Sequence, residues 1–340
     1  MSTGTAATAP STQRSGMFAP ISSDLLVLAL RFVVGWMFFS AAWRRLVLEP
    51  GRMSPGNAAW VGGKINHFYP QAIGFKPMFE WLLTNPDALN VFMWVFTIIE
   101  LLVGLGITFG LFSRLSAIGI TLLSFSMLLA AGWLGATCLD EWQIGCFGIG
   151  AGLMLAMTGV GWRSFDRLVG ERWSWWTSKP MAWLATGRLM GARPGRIVSV
   201  ALAAFTVIAM LGTNQAFVGG LWGPLSNPSA KPHVQVSEVA DQDGTLTMQV
   251  FRDKGPDTYG AFVTELEAQD ASGAVVADLK GEDLAALFKE GTIKNTSVNK
   301  VKAGPDGLIL PLGAEATVTV TLPEHSSEIS VVRLRDASGV

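Results

Sequence analysis

Long apolar runs fill the first two thirds of the chain, and alternating apolar and polar positions fill the last third. A helix needs about 20 consecutive apolar residues to cross the hydrocarbon core of a bilayer. Five stretches reach that length, at roughly 24–47, 89–112, 115–137, 143–162 and 197–218. A loop over 49–88 separates the first two. A segment over 163–196 separates the last two, and its Trp173, Trp175, Trp176 and Trp183 predict an interfacial stretch lying on the headgroups. Beyond about 231 the period shortens. Thr245–Phe251, Ala261–Ala268, Ala316–Leu322 and Ile329–Leu334 alternate between Gly, Asp and Pro punctuation, which predicts strands packed as a sandwich. Leu284–Phe288 predicts a single helical turn. The expected architecture is an α-helical membrane bundle, a four-helix core plus a fifth transmembrane helix, followed by an all-β, sandwich-like extracytoplasmic domain. Its expected boundaries are a cytoplasmic tail over 1–23, the four-helix domain over 24–165, a cytoplasmic interfacial linker over 166–196, the fifth span over 197–218 and the β domain over 230–340.

Composition agrees with this division. Half the residues are apolar and only 15% are charged, as suits an integral membrane protein. The net charge of −1 conceals a split. Residues 1–229 carry 15 Lys/Arg and 9 Asp/Glu, a net of +6, whereas residues 230–340 carry 10 and 17, a net of −7. All 13 tryptophans precede residue 223. Segment 163–196 holds seven Lys/Arg (Arg163, Arg167, Arg172, Lys179, Arg188, Arg193, Arg196) against two acids, which marks it as cytoplasmic. Counting spans then puts the N-terminus inside and loop 49–88, the turn at 138–142 and the β domain outside. The polar first residues have no charged stretch leading into a short apolar core, so they read as a tail and not a signal peptide. Two cysteines and three histidines are too few for a Cys-rich metal framework, and no metal site is expected. The expected surroundings are the lipid bilayer and not nucleic acid, with homo-oligomerisation left open.

Several polar groups stand where they are costly. Arg31 interrupts the first span and Glu100 the second, and an ionisable group there needs a partner or water. Counted from the predicted span ends, the two lie close enough in depth for long side chains to meet. Such a pair either fixes helix register or lines a proton route or quinone site. Arg44, Arg45, Arg52, Lys64 and Lys76, with His67 nearby, gather at the outer end of the first span and in loop 49–88. Basic residues outside run against the usual bias, so either the orientation is reversed, or they hold lipid headgroups, or they hold an anion, the favoured reading, for which arginine offers a planar fork of donors. Gly106/Gly110 and Gly148/Gly152 have the spacing of close helix contacts.

The only cysteines, Cys138 and Cys146, flank a turn reading Thr137-Cys138-Leu139-Asp140-Glu141-Trp142-Gln143. Asp140 followed by Gln143 has the form of a capping box, so a helix should start near Glu141. Cys146 then lies in its second turn, either as a small buried apolar residue or as a thiol whose acidity the helix N-terminus promotes. Cys138 stands before the cap at a wet edge. A disulfide between the two requires the turn to fold back.

The segments Arg31-Phe32-Val33-Val34-Gly35-Trp36, Ala42-Trp43-Arg44-Arg45, Ile99-Glu100-Leu101-Leu102-Val103-Gly104, Gly110-Leu111-Phe112-Ser113-Arg114 and the Cys138 turn resemble the DoxD subunit of thiosulfate:quinone oxidoreductase, over roughly 20–165. The Arg-Gly and Glu-Gly signatures are shared with the wider DoxX-like group. The tail, notably Tyr259-Gly260-Ala261-Phe262-Val263, is similar to the smaller DoxA subunit. The resemblance implies oxidation of thiosulfate to tetrathionate with electrons passed to membrane quinone, in a bacterial inner membrane. No haem-attachment motif or dinucleotide or flavin fingerprint is seen, so the electrons need another carrier, and the resemblance implies that quinone is the acceptor. The mechanistic hypothesis is that Cys138 and Cys146 exchange sulfur, Asp140 or Glu141 relays protons, Arg44, Arg45, Arg52, Lys64 and His67 hold thiosulfate, and Trp142, Trp43, Glu100 and Arg31 line the quinone site; with an inert Cys146, two thiosulfates would instead pass electrons directly to bound quinone. His233, Tyr259 and His325 are the tail residues of interest. A carrier of sulfur oxyanions and a non-enzymatic DoxX-like scaffold share several of these features and remain alternatives.

Overall fold

The computed structural model describes residues 23–340 except 58, 134–139, 160, 162, 186–190, 218, 228–230, 243, 257–260, 290, 323–328 and 337–340. Helices α1 (Ser23–Trp43), α4 (Pro86–Phe109), α5 (Ser113–Ala130) and α6 (Asp140–Thr158) form the bundle, and α9 (Ala192–Phe217) runs beside it. Helices α2 (Gly63–Phe68) and α3 (Lys76–Thr84) lie between α1 and α4, while α7 (Phe165–Arg172) and α8 (Lys179–Leu184) lie between α6 and α9. Among the described residues four helices are long and apolar enough to cross a membrane, within Val27–Leu48, Pro86–Phe109, Ser113–Ala130 and Arg193–Phe217. Helix α6, expected as a span, opens with the polar turn Asp140–Gln143, which lowers its mean hydropathy. It nevertheless packs along the length of α5, with Gly145 against Leu128, Gly148 against Ser124 and Gly152 against Thr121. Close approach is why those positions are glycine, since a Cβ at any of them would fall within 2.5 Å of its neighbour. The bundle core joins Val27, Val34, Val103, Ile107, Ala117, Ile120, Ala151 and Leu155.

Gly110 closes α4 in the left-handed conformation (φ 68°), as a helix C-terminus favours. The following turn is held from α7. The Asp166 carboxylate accepts the backbone N–H groups of Phe112 (2.9 Å) and Ser113 (2.8 Å) and the Ser113 hydroxyl, capping α5.

Loop 49–88 is an ordered layer. Its own core contains Met53, Trp60, Ile65, Ala72, Phe79, Leu82 and Leu83, joined by Leu89 and Met93 of α4. The C-terminal part is the expected β domain. One antiparallel sheet has the order β1 (His233–Gln242), β2 (Thr245–Lys254), β8 (Glu315–Thr321), β5 (Ile293–Asn295). The other has the order β4 (Val275–Lys280), β3 (Ala261–Asp270), β7 (Gly307–Leu310), β6 (Lys302–Gly304), with β9 (Ile329–Asp336) also paired to β3. Strict alternation along β2 and β8 sets Leu246, Met248 and Val250 beside Val320, Val318 and Ala316, and these pairs form the centre of the sandwich core. The single helical turn, α10 (Gly281–Ala285), falls three residues earlier than predicted.

Candidate functional site

Two arrangements lie at the β-domain end of the bundle. The first is a buried charge pair. The last turn of α1 passes into a π-helical turn over Arg44–Leu48, a local widening frequent at functional positions. Its consecutive residues face differently. Trp43 and Arg44 are exposed, whereas Arg45 is buried. The Arg45 guanidinium pairs with the Glu100 carboxylate and also donates to the Ala41 carbonyl (3.1 Å) and the Thr97 hydroxyl (3.2 Å). It lies 5.8 Å from the centre of the Phe96 ring, a cation–π distance. The Thr97 hydroxyl in turn points to the Met53 sulfur at 3.9 Å, which ties the pair to loop 49–88.

Glu100 is therefore partnered by Arg45 and not by Arg31, which corrects the sequence expectation. Arg31 donates to the Thr108 carbonyl at 2.9 and 3.1 Å. The reason is stagger. Gly35 packs against Thr108 and Gly104, and Gly104 packs against Phe39, so Arg31 is level with the end of α4. Helix α1 continues eight residues beyond that level to Ser23, about 12 Å of rise. The sequence estimate treated the helix ends as flush. A second correction follows: Arg45 is committed to an internal carboxylate and is not a free cation for thiosulfate, while Arg44 keeps an exposed position. Of the other expected anion ligands, Arg52 pairs with Glu49. Lys64 and His67 sit one turn apart on α2, the lysine exposed and the histidine half-buried. Trp43 is exposed and stacks on Phe39 (5.6 Å between centroids).

The second arrangement surrounds the thiol turn. Cys138 lies outside the described residues. Asp140 opens α6, one residue from the predicted start, and its side chain is likewise not described. Glu141, Trp142 and Cys146 are half-buried, and Cys146 is a free thiol in the second turn of the helix. At the other end of the turn the Ile73 N–H donates to the Leu129 carbonyl (2.8 Å), and Gly132 presses against the Gln71 carbonyl. Trp133 is buried between Phe125 and Phe217, with ring centroids 6.4 and 5.6 Å away. The indole N–H groups of Trp133 and Trp142 are buried and have no acceptor among the described residues.

The same loop carries the β domain, a contact the sequence did not signal. The Gln71 side chain donates to the Asp253 carbonyl (2.9 Å), and Tyr69 meets Phe251 edge-on at 5.9 Å. Asn66 is fully buried; it accepts the Asn299 N–H (3.1 Å) and faces the Leu312 carbonyl. Gly313 (φ 74°) packs directly on the Asn66 carbonyl, where no larger residue fits. Asp253 also holds His233 (2.5 Å) and Gln235 (2.9 Å), so His233 serves this junction. Tyr259 and His325 lie outside the described residues. Burial, with Glu80 and Glu315 adding to it, pushes the Tyr69 phenol above its ordinary range. Burial also raises the Glu315 carboxyl, opposed by a Thr296 hydrogen bond and reinforced by Glu80 and Glu238. Asn66, Gln71 and Asn299 read in sequence as ordinary loop polar residues, and only their complete burial or pairing across the junction reveals their role.

A multi-pass membrane bundle, a loop layer and a docked β sandwich define the class of this protein. Two family models match it, TQO small subunit DoxD over residues 26–191 and TQO small subunit DoxA over residues 217–340. The chain belongs to the DoxD/DoxA thiosulfate:quinone oxidoreductase family, with both subunits fused in one polypeptide. No solved structure matches it.

Proposed function

We propose that this protein oxidises two thiosulfate dianions to tetrathionate on the β-domain side of the membrane and delivers the two electrons to membrane quinone. The observation that carries the reading is the position of the described residues that flank the thiol turn. Gly132 and Gln71 meet between the bundle and the β domain, in the layer 49–88 that also carries Arg52, Lys64 and His67, with Arg44 exposed in the π-helical turn just before it. The proposed orientation keeps the N-terminus in the cytoplasm and the β domain outside.

The chemistry assigned to the thiols balances as a disulfide exchange. The terminal sulfur of thiosulfate attacks an oxidised Cys138–Cys146 pair, the cysteine disulfide bond breaks, and Cys138 carries the thiosulfonate while Cys146 leaves as thiolate. A second thiosulfate attacks the bound outer sulfur, which releases tetrathionate and the Cys138 thiolate. Quinone, when bound, supplies the two-electron, two-proton acceptor that reoxidises the pair. The residues present fit such a group: Trp133 and Trp142 offer buried indole N–H donors that have no acceptor among the described residues, as a quinone carbonyl requires. Trp43 presents an exposed ring at the lipid face. Asp140 and Glu141, close to both cysteines in sequence, are assigned the proton transfer, and the basic layer offsets the repulsion between two dianions. Glu100, held by Arg45, and Arg31, held at the Thr108 carbonyl, brace the bundle beneath this site.

The test uses membranes containing Cys138→Ser or Cys146→Ser, assayed with thiosulfate and a soluble quinone analogue. Turnover should fall to background in the Cys138 variant. Wild-type turnover there removes the thiol mechanism, and no thiosulfate-dependent quinone reduction by the unaltered protein removes the function itself.

A further inference from the structure

The end of the bundle opposite the β domain holds a crevice that thiosulfate oxidation does not use. It has a volume of about 380 Å³ and lies between the end of α6, helix α7 and the 3-10 turn Ser174–Thr177. Thr158, Arg167, Trp176 and Thr177 line it together with the two acids Asp166 and Glu171, and Gly161 and Gly170 complete the wall. Trp176 is only 8% exposed, and its indole N–H has no acceptor among the described residues. Phe112 and Trp175 pack against this ring, at 5.0 and 5.1 Å between centroids. Its pyrrole edge faces the crevice wall at Gly170, where an added Cβ would stand 3.8 Å from Cδ1. A buried indole N–H is ordinarily bonded, so this one is a donor waiting for an oxygen.

The neighbouring groups narrow the ligand. The hydroxyls of Thr158 and Thr177 give their protons to helix carbonyls, at 2.9 and 2.7 Å. Arg167 gives Nε–H to Glu171 (3.2 Å), and among the described residues its terminal guanidinium nitrogens have no hydrogen-bond partner. The carboxylate of Asp166 is occupied by the cap of α5. The unspent groups are thus one buried neutral donor and one exposed cationic fork, a combination that suits a small group bearing several acceptor oxygens. The surroundings say where that group comes from. Phe165, Leu168, Trp173 and Trp175 are all exposed along the same segment, and such rings belong at the level of the lipid headgroups. Basic residues outnumber acids in this segment, as at a surface facing anionic lipid.

We propose that the crevice binds the phosphodiester of a phospholipid headgroup in the leaflet opposite the β domain, the phosphate oxygens accepting from Trp176 Nε1–H and from Arg167. Its size admits a headgroup but leaves the acyl chains along the exposed faces of α7 and the tryptophans. The site is independent of the thiol chemistry.

Native mass spectrometry of the full chain in detergent tests this, with phosphatidylglycerol, diacylglycerol and inorganic phosphate as separate additives. One phosphatidylglycerol should be retained, and diacylglycerol should not. Trp176→Phe keeps the ring and deletes the donor, and its affinity should fall about tenfold, the worth of one hydrogen bond to a charged group. Arg167→Gln alters only an exposed side chain and should show a loss of similar size, so it decides the matter if the Trp176 variant does not fold. Trp173→Phe should bind as the wild type does. Unchanged affinity in Arg167→Gln, or equal retention of diacylglycerol, overturns the proposal. Displacement of the lipid by inorganic phosphate at matching concentration assigns the crevice to the free ion and overturns the lipid assignment.

Discussion

Glu100→Leu puts the buried charge pair to the test. The side chains of Arg45 and Glu100 are 10% and 11% exposed, and for hydrogen bonds Arg45 keeps the Ala41 carbonyl and the Thr97 hydroxyl, beside the Phe96 ring, once the carboxylate is gone. Neither carries charge. Removing one member of a buried pair costs about 3–5 kcal/mol, because the survivor stays desolvated and uncompensated. At roughly 2 °C per kcal/mol for a domain of this size, the midpoint of thermal unfolding should drop by about 6–10 °C. Arg45→Met should cost a similar amount. The double variant Arg45→Met/Glu100→Leu should recover most of the loss, since an apolar pair of comparable volume replaces an ion pair with little penalty. Unfolding of the detergent-solubilised protein, followed by helix circular dichroism, completes the double-mutant cycle. Single variants as stable as the wild type, or a double variant whose loss is the plain addition of the two single losses, would refute the assignment of Arg45 as the partner that Glu100 needs.

Gly313→Ala should release the β domain from loop 49–88, because the left-handed φ of 74° and the Asn66 carbonyl both exclude a Cβ; limited proteolysis of the released domain reports it. Asn66→Ala should weaken the same junction by about 1–3 kcal/mol by leaving the Asn299 N–H without an acceptor, read as faster hydrogen exchange at Asn299. The raised Glu315 carboxyl predicts a pH dependence. The folded state holds that proton more tightly than the unfolded chain, so the β domain loses stability as pH rises from the ordinary carboxylate value through the raised folded one. Glu315→Gln should flatten that slope in urea titrations at a series of pH values, and an unchanged slope would assign the dependence to another group.

Much of this fold was legible in the chain because its elements obey simple periods. Continuous apolar runs located α1, α4, α5 and α9, and strict alternation located β2, β3, β8 and β9 to within a few residues. The capping pair Asp140 and Gln143 located the start of α6. What escaped depends on relative placement, which no local pattern encodes. The partner of Glu100 was misjudged because helix ends are staggered, and the stagger follows from glycine contacts at Gly35 and Gly104 that depend on both helices at once. Arg44 and Arg45 are adjacent and identical in type, yet the π-helical turn buries one and exposes the other. The short strands β4 to β7 carry too few residues to show a period. The interdomain junction rests on three side-chain amides whose composition is that of any polar loop.

Those few amides explain why fusion is useful to this architecture. The described polar contacts between loop 49–88 and the β domain are the bonds of Asn66, Asn299 and Gln71, with one aromatic pair beside them. Bonds of this kind contribute about 0.5–1.5 kcal/mol each, too little to hold two separate chains at low concentration. Here the β domain is tethered. Helix α9 ends at Phe217, which packs against Trp133 at the base of the thiol turn, and β1 begins at His233. The intervening residues 218–232 are a short linker, and a short linker supplies an effective concentration in the millimolar range. A weak junction then stays mostly closed without becoming permanent. It follows that cutting the chain between α9 and β1 should release the β domain on dilution even with every junction residue intact, whereas an interface strong enough to stand alone would retain it.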